Sequence, residues 1–149
     1  MKIALGADHA GFTLKNAVKK HLDDLGHEVL DVGTDSPDRT DYPIWGSRAA
    51  RLVTGGEAEL GIVVCGSGIG IGIAANKVPG ARCATCTDPW SAHMTRRHND
   101  ANMLALGERV TGEGLAMAIV DAFLEASFDG GRHAGRVDQI TDLDEGREL

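Results

Sequence analysis

The chain has 149 residues, of which 42% are hydrophobic and 25% charged, and its formal net charge is −7. This length fits one domain, residues 1–149, and is long enough to bury a core without disulfides or metals. The negative charge argues against nucleic acid as a partner, so a few local cations must hold any anionic ligand.

The cysteines and the amino-terminal residues indicate the compartment. Three cysteines, an odd number, argue against a disulfide framework. The first residues become polar too early for a signal peptide, and no apolar run reaches the roughly 18 residues needed to span a bilayer. We therefore expect a reduced, cytoplasmic protein that has no membrane partner.

Apolar strands alternate with helical patterns along the chain. Strands are predicted at 2–8, 27–33, 60–65, 81–86 and 103–107. Helices are predicted at 14–25, at 44–54, from about 69, at 89–98, at 113–126 and at 132–144. This order predicts a single-domain, three-layer α-β-α, Rossmann-like fold, in which a five-stranded parallel sheet is followed by a C-terminal helix.

Ligands of such sheets bind beyond the carboxyl ends of the strands, where this chain carries polar residues and glycines. Asp8 and His9 follow the first strand, and Cys65 ends the third. Asp88 follows the fourth strand and Arg109 the fifth. We therefore expect a binding site at this edge of the sheet.

The segment VVCGSGIGIGIAANK, residues 63–77, places glycines at 66, 68, 70 and 72. A glycine loop between a strand and a helix can present backbone N–H groups to an anion. The same glycines could instead serve a tight turn with close helix–strand packing. The GK[ST] ending of a phosphate-binding Walker loop is missing, and GxGxxA at 70–75 is only a weak dinucleotide signal.

Cys65 lies where the strand meets this loop. A thiol that faces backbone N–H groups at a helix start ionises readily, and the thiolate is a base or a nucleophile. A buried structural cysteine is the alternative. Cys83 and Cys86 form a CxxC pair within a predicted strand, and their separation of three puts them on opposite faces. We therefore expect no shared metal there.

Other candidates lie far along the chain from Cys65. His93 and His98 are five apart, so on a helix they diverge by about 140°, which disfavours chelation. His98 falls in RRHND at a predicted helix end. Arg132 and Arg136 share a helix face, which suits either a phosphate or a solvated surface.

Five segments resemble the type B ribose-5-phosphate isomerases, a family that also includes the subunits of galactose-6-phosphate isomerase. They are GADHAGF at 6–12, RTDYP at 39–43, CGSGIGIGIAANK at 65–77, RRHND at 96–100 and GGRHAGRV at 130–137. The resemblance implies an enzyme of the pentose phosphate pathway that interconverts D-ribose 5-phosphate and D-ribulose 5-phosphate through an enediolate. It implies no cofactor and no metal, and a homodimer or tetramer whose sites are built from two subunits.

The resemblance also implies a role for each matching residue. Cys65 is the base that moves a proton between C1 and C2, and Ser67 shuttles protons between the substrate oxygens. His98 is the acid that opens the sugar ring, assisted by Asp8. The implied substrate-binding residues are Asp8, His9, Tyr42, Gly66, Ser67, Gly68, Ile69, Gly70, Asn99, Arg109, Arg132 and Arg136.

The resemblance changes one expectation and leaves two alternatives. The loop pattern alone predicts phosphate on the glycine loop, whereas the family places the oxyanion there and the phosphate on arginines. Some members use a glutamate as the base where this chain has Ile71, so the base here should be Cys65. The alternatives are an isomerase of allose 6-phosphate or galactose 6-phosphate, and a nucleotide- or flavin-binding regulatory module.

Overall fold

The computed structural model describes residues 1–149 and contains one five-stranded sheet. Its strands are β1 (Lys2–Ala7), β2 (Glu28–Asp31), β3 (Leu60–Cys65), β4 (Cys83–Thr85) and β5 (Met103–Gly107). All pairs are parallel and the spatial order is β2-β1-β3-β5-β4. The predicted α/β fold with a five-stranded parallel sheet is confirmed.

Six helices surround the sheet. They are α1 (Phe12–Asp24), α2 (Tyr42–Thr54), α3 (Ile69–Ala75), α4 (Pro89–Asn99), α5 (Glu113–Glu125) and α6 (Ala134–Asp144). Short 3-10 turns at His9–Gly11 and Gly131–His133 precede α1 and α6, so the last predicted helix is divided into a turn and a helix. None of the helices has the length and apolar character needed to cross a bilayer.

The sheet is buried on both faces. In β3, Leu60, Ile62 and Val64 pack into the core that contains α1 and α5, whereas Val63 and Cys65 point into the core that contains α2 and α3. This alternation explains why the strand is apolar at every position, as strands covered on both faces are. The same alternation directs the Cys65 thiol toward α3.

The CxxC pair is divided between these two cores, as its spacing predicts. Cys86 belongs to the core under α1 and α5, and Cys83 packs against the other core. Burial raises the pKa of Cys83 to about 12 and that of Cys86 to about 11. Both side chains are therefore protonated thiols at neutral pH.

Two asparagine side chains cap the edge at β4. Asn76 ends α3 and bonds both backbone groups of Cys83, donating to its carbonyl at 2.9 Å and accepting from its N–H at 2.7 Å. Asn102 accepts from the Arg82 N–H at 2.7 Å and donates to the Gly80 carbonyl. Strand β4 (Cys83–Thr85) is shorter than the predicted 81–86, and the N–H groups of Arg82 and Cys83 at its start bond to these asparagine side chains.

Candidate active site

A cavity of about 440 Å³ opens at the carboxyl ends of β1, β3 and β5. We call it the Cys65 pocket. It is lined by Asp8, His9, Ala10, Tyr42, Cys65, Gly66, Ser67, Gly70, Arg109 and Val110. The rule that ligands bind beyond the carboxyl ends of parallel strands thus identified its location, although Asp88 lies outside it and instead caps α4 through Ser91.

The Cys65 thiol is 4% exposed and receives a hydrogen bond from the loop that follows it. The Gly68 N–H donates to its Sγ at 3.2 Å. This hydrogen bond holds the sulfur against the glycine loop. The loop can turn this way because Gly68 has φ +78°, and a Cβ there would lie 2.8 Å from the Leu106 carbonyl carbon.

The other glycines of the motif allow side chains of neighbouring elements to approach the backbone closely. A Cβ at Gly70 would lie 2.8 Å from the Tyr42 ring, and one at Gly72 would lie 2.8 Å from Thr85 Oγ1. Only Gly66 has ordinary space around it, with its nearest neighbour, Arg109, at 3.5 Å. The packing interpretation of the glycine motif therefore explains three of the four positions.

Packing leaves the loop amides available at the pocket. The first helical bond of α3 runs from the Gly72 N–H to the Gly68 carbonyl, so the amides of residues 69–71 have no acceptor within the helix. Of these, the Ile69 N–H donates to Ser67 Oγ at 3.2 Å. The arrangement can therefore also hold an oxyanion beside the thiol, and the two interpretations of the motif are compatible.

Asp8 is held through one carboxylate oxygen, and His9 is held through one ring nitrogen. Asp8 Oδ1 accepts from the N–H groups of Ala10 and Gly11, and Oδ2 has no hydrogen bond within the chain. His9 Nδ1 lies 3.1 Å from the Thr40 carbonyl oxygen and 3.2 Å from its nitrogen. His9 Nε2 has no such partner, so each residue keeps a polar atom for a ligand.

The end of β5 supplies the cation of the pocket. The Glu108 carboxylate accepts from the Leu14 N–H at 2.8 Å, at the start of α1. The Arg109 N–H donates to the Gly66 carbonyl at 3.0 Å, which places the arginine beside the glycine loop. An anionic ligand in the Cys65 pocket would therefore meet the guanidinium of Arg109.

The remaining predicted residues lie elsewhere. His98 and Asn99 end α4, Arg132 lies in the turn before α6, and Arg136 lies in α6. None lines the Cys65 pocket, and Asn99 lines a separate cavity of about 320 Å³ beside β4. Helix α4 begins beyond the carboxyl end of β4 and its 11 residues return about 16 Å toward the start of β5. One chain therefore divides the predicted site between two regions.

A second set of polar side chains surrounds His98. The rings of His98 and His133 are stacked, with centroids 4.3 Å apart and planes inclined by 10°. Arg97 Nε donates to Asp129 Oδ1 at 2.9 Å. We call these four residues, together with Arg132 and Arg136, the His98 cluster. Asp129 and His133 were not identified from the sequence, because no spacing rule connects residues more than 30 positions apart.

Charges act on two members of this cluster. Burial is the largest cause of the lowered pKa of His133. The neighbours that lower it further are His98, Arg132 and Arg136, and Asp129 raises it. The hydrogen bond from Arg97 is the largest cause of the lowered pKa of Asp129, which therefore stays ionised at neutral pH.

His98, Asp129 and His133 are also the residues that could hold a metal, since their ligand atoms lie within 4.8 Å of one another. The lone pairs of the imidazole nitrogens lie in the ring planes, and because the two planes are nearly parallel these lone pairs do not converge on one ion. A zinc ion, in contrast, needs ligands that point to it from the corners of a tetrahedron. Arg97 already bonds the carboxylate. The arrangement therefore suits ring stacking better than chelation.

Known proteins resemble this chain over almost its whole length. The model of the family described as Ribose/Galactose Isomerase matches residues 3–140. Ribose-5-phosphate isomerase B of Escherichia coli is 52% identical over 98% of this chain and 98% of its own length. Galactose-6-phosphate isomerase subunit LacB of Clostridium acetobutylicum is 44% identical over 86% of this chain and 74% of its own length.

A solved structure agrees with the sequence matches. Ribose-5-phosphate isomerase B of Clostridium thermocellum superposes with a TM-score of 0.97 at 52% identity, and the match covers 98% of this chain and 99% of the other. Fold, sequence and motif order thus lead to one conclusion: the chain belongs to the ribose/galactose isomerase family.

Proposed function

We propose that the protein interconverts D-ribose 5-phosphate and D-ribulose 5-phosphate. The observation that carries the proposal is the Cys65 thiol, which ends a buried strand, accepts the Gly68 N–H and lines a pocket with Arg109. Relatives that are 52% identical over nearly the full chain bear the name ribose-5-phosphate isomerase B, which supports the same reaction.

The proton transfer needs one base and one oxyanion site. The Cys65 thiolate removes the proton from C2 of the open aldose, and the electron pair forms the C1–C2 double bond of the enediolate. The same thiol then returns the proton to C1. The loop amides beside Ser67 stabilise the negative oxygen, and the Ser67 hydroxyl moves a proton between the substrate oxygens.

The sugar ring must open before this transfer. We assign His98 as the acid that protonates the ring oxygen, assisted by Asp8, whose Oδ2 has no hydrogen bond within the chain. The phosphate is bound by arginines, for which Arg132 and Arg136 are the candidates, because paired guanidiniums match phosphate geometry. His9, Asn99, Arg109 and Tyr42 complete the proposed substrate contacts.

A second copy of the chain would bring the two regions together. His98, Asn99, Arg132 and Arg136 lie outside the Cys65 pocket in one chain. Ile69 and Ile73, one turn apart on α3, are each 58% exposed, and an apolar pair beside the pocket suits burial against a partner. We therefore propose a homodimer, or a tetramer built from it, whose sites use residues of two subunits.

Two further points concern substrate range and location. The 44% identity to a subunit of a galactose-6-phosphate isomerase makes hexose 6-phosphates the second candidate substrates. This chain retains both Cys65 and His98, which favours a homomer with complete sites over a pair of different subunits. All three cysteines are free, which supports a reduced, cytoplasmic location.

The test is turnover of ribose 5-phosphate, with allose 6-phosphate and galactose 6-phosphate beside it and EDTA present. We expect the pentose phosphate to be the best substrate, and Cys65→Ala to lower kcat by about 10²–10⁴-fold. The control is Cys83→Ala, which should retain activity because that side chain packs against the core that contains α2 and α3 and does not line the Cys65 pocket. A wild-type protein inert on the pentose phosphate, or an active Cys65→Ala variant, would contradict the proposal.

A further inference from the structure

The ring of His133 lies flat against the ring of His98, and neither the predicted substrate contacts nor the proposed acid–base chemistry uses it. We propose that His133 is a positioning residue, which holds the His98 imidazole in the orientation needed to protonate the sugar ring oxygen. The inference rests on the role proposed above for His98 and adds a residue that acts through it.

Hydrogen bonds beside the stack join the two segments that carry the rings. The Asp129 N–H donates to the Arg97 carbonyl at 2.9 Å, and the Arg97 side chain bonds the Asp129 carboxylate. The His133 N–H donates to the Gly130 carbonyl at 3.1 Å. The two hydrogen bonds between Arg97 and Asp129 thus join the end of α4 to the segment that carries His133. The stack therefore does not depend on ring contact alone.

Burial favours a fixed ring at position 133. The residue is 9% exposed, whereas α6, which follows it, contains no buried residue. A buried planar ring in contact with a second ring at 4.3 Å limits rotation of that ring, because each alternative rotamer would separate the stacked faces. The His98 side chain, which ends a helix, is therefore restricted by a neighbour from another segment.

Burial and charged neighbours act on His133 within the stack. The groups that face His133 are His98, Arg132 and Arg136, which disfavour a second positive charge, and Asp129, which favours one. Burial acts in the same direction as His98, Arg132 and Arg136, so the pKa of His133 is lowered and its ring is neutral at pH 7. The neutral ring of His133 thus presents an aromatic face to the His98 ring at a centroid distance of 4.3 Å.

A residue that binds substrate directly would behave differently from one that positions another. A phenylalanine at 133 keeps an aromatic face and loses both nitrogens, whereas an alanine loses the face as well. His133→Phe therefore tests stacking, and His133→Ala removes it. We expect His133→Ala to lower kcat by about tenfold with KM changed less than about twofold, since misplacing a catalytic group affects the chemical step.

The experiment measures kcat and KM for ribose 5-phosphate in the dimeric wild type, His133→Ala, His133→Phe, His98→Asn and the His98→Asn/His133→Ala double variant. We expect His133→Phe to recover most of the wild-type kcat. The double variant should equal His98→Asn, because a residue that acts only through His98 has nothing left to position. His27→Ala, distant from the stack, serves as the matched histidine control.

Proton NMR of the His98 ring gives a readout that does not depend on activity. Ring stacking shifts these resonances upfield, so they should move downfield in His133→Ala and remain shifted in His133→Phe. The resonances that disappear in His98→Asn are those of the His98 ring, so this variant assigns them. Unmoved resonances, a double variant slower than His98→Asn, or a His133→Phe variant with raised KM would overturn the inference. A wild type inert on ribose 5-phosphate would instead overturn the proposed function, and the role of His133 with it.

Discussion

The Cys65 pocket and the His98 cluster are built in different ways. The pocket joins the ends of three adjacent strands, and backbone hydrogen bonds fix its sulfur and its glycine loop. The cluster joins a helix end to a turn before α6, and side chains make most of its contacts. The comparison teaches that one chain brings the proposed base and oxyanion amides together but leaves the proposed acid and phosphate ligands outside that pocket.

The largest expected effect tests this division directly. Cys65→Ala and His98→Asn are each expected to retain a residual rate about 10²–10⁴-fold below that of the wild type, and a mixture that is unfolded and refolded together should recover activity. Random pairing makes half of the dimers mixed, and each mixed dimer has one intact site, so we expect about a quarter of the wild-type rate. The measurement is turnover of ribose 5-phosphate before and after mixing.

The control for this experiment is co-refolding of Cys65→Ala with Cys65→Ser, in which every site lacks the thiol and no activity should return. If both proposed groups worked within one chain, the Cys65→Ala and His98→Asn mixture would stay inactive as well. That result would remove the two-subunit site and with it the division between the two regions.

An intermediate effect is expected within the His98 cluster. Arg136→Ala should raise KM by about 10–100-fold with a small change in kcat, because it removes the charged hydrogen bond that we propose to the phosphate. Arg51→Ala, an exposed arginine of α2 that forms no ion pair, is the matched control. A large loss of kcat at unchanged KM would place Arg136 with the reacting atoms instead of the phosphate.

The smallest effect concerns the Cys65 pocket. Gly68→Ala should lower the free energy of unfolding by about 1–3 kcal/mol, because φ is +78° and the new methyl group would meet the backbone of β5. Gly114→Ala is the control, since nothing lies near that position in α5 and alanine stabilises a helix by about 1 kcal/mol. Urea denaturation of both variants measures the difference. Equal stabilities would mean that the loop is not held as described.

The two regions also differ in how far the sequence predicted them. Strand–helix alternation predicted the five strands and the six helices but not the two 3-10 turns, and the strand-end rule brought Asp8, His9, Cys65 and Arg109 to one pocket. Alternation along β4 predicted that Cys83 and Cys86 would separate. These inferences succeed because strand period and sheet topology are local or general properties that a single sequence contains.

Other features needed the structure. The strand order β2-β1-β3-β5-β4 depends on which strands pair across long connections. The contact between His98 and His133 joins residues on different segments, and no periodicity links them. The packing role of Gly70 and Gly72 depends on Tyr42 and Thr85, which lie on other elements. In each case the information is a tertiary distance.

The asparagine at the end of α3 has a consequence for self-association. An open strand edge is a template on which a second sheet can add, and Asn76 occupies both outward backbone groups of Cys83 with its amide. By occupying the backbone of Cys83, one side chain opposes open-ended growth of the sheet through β4.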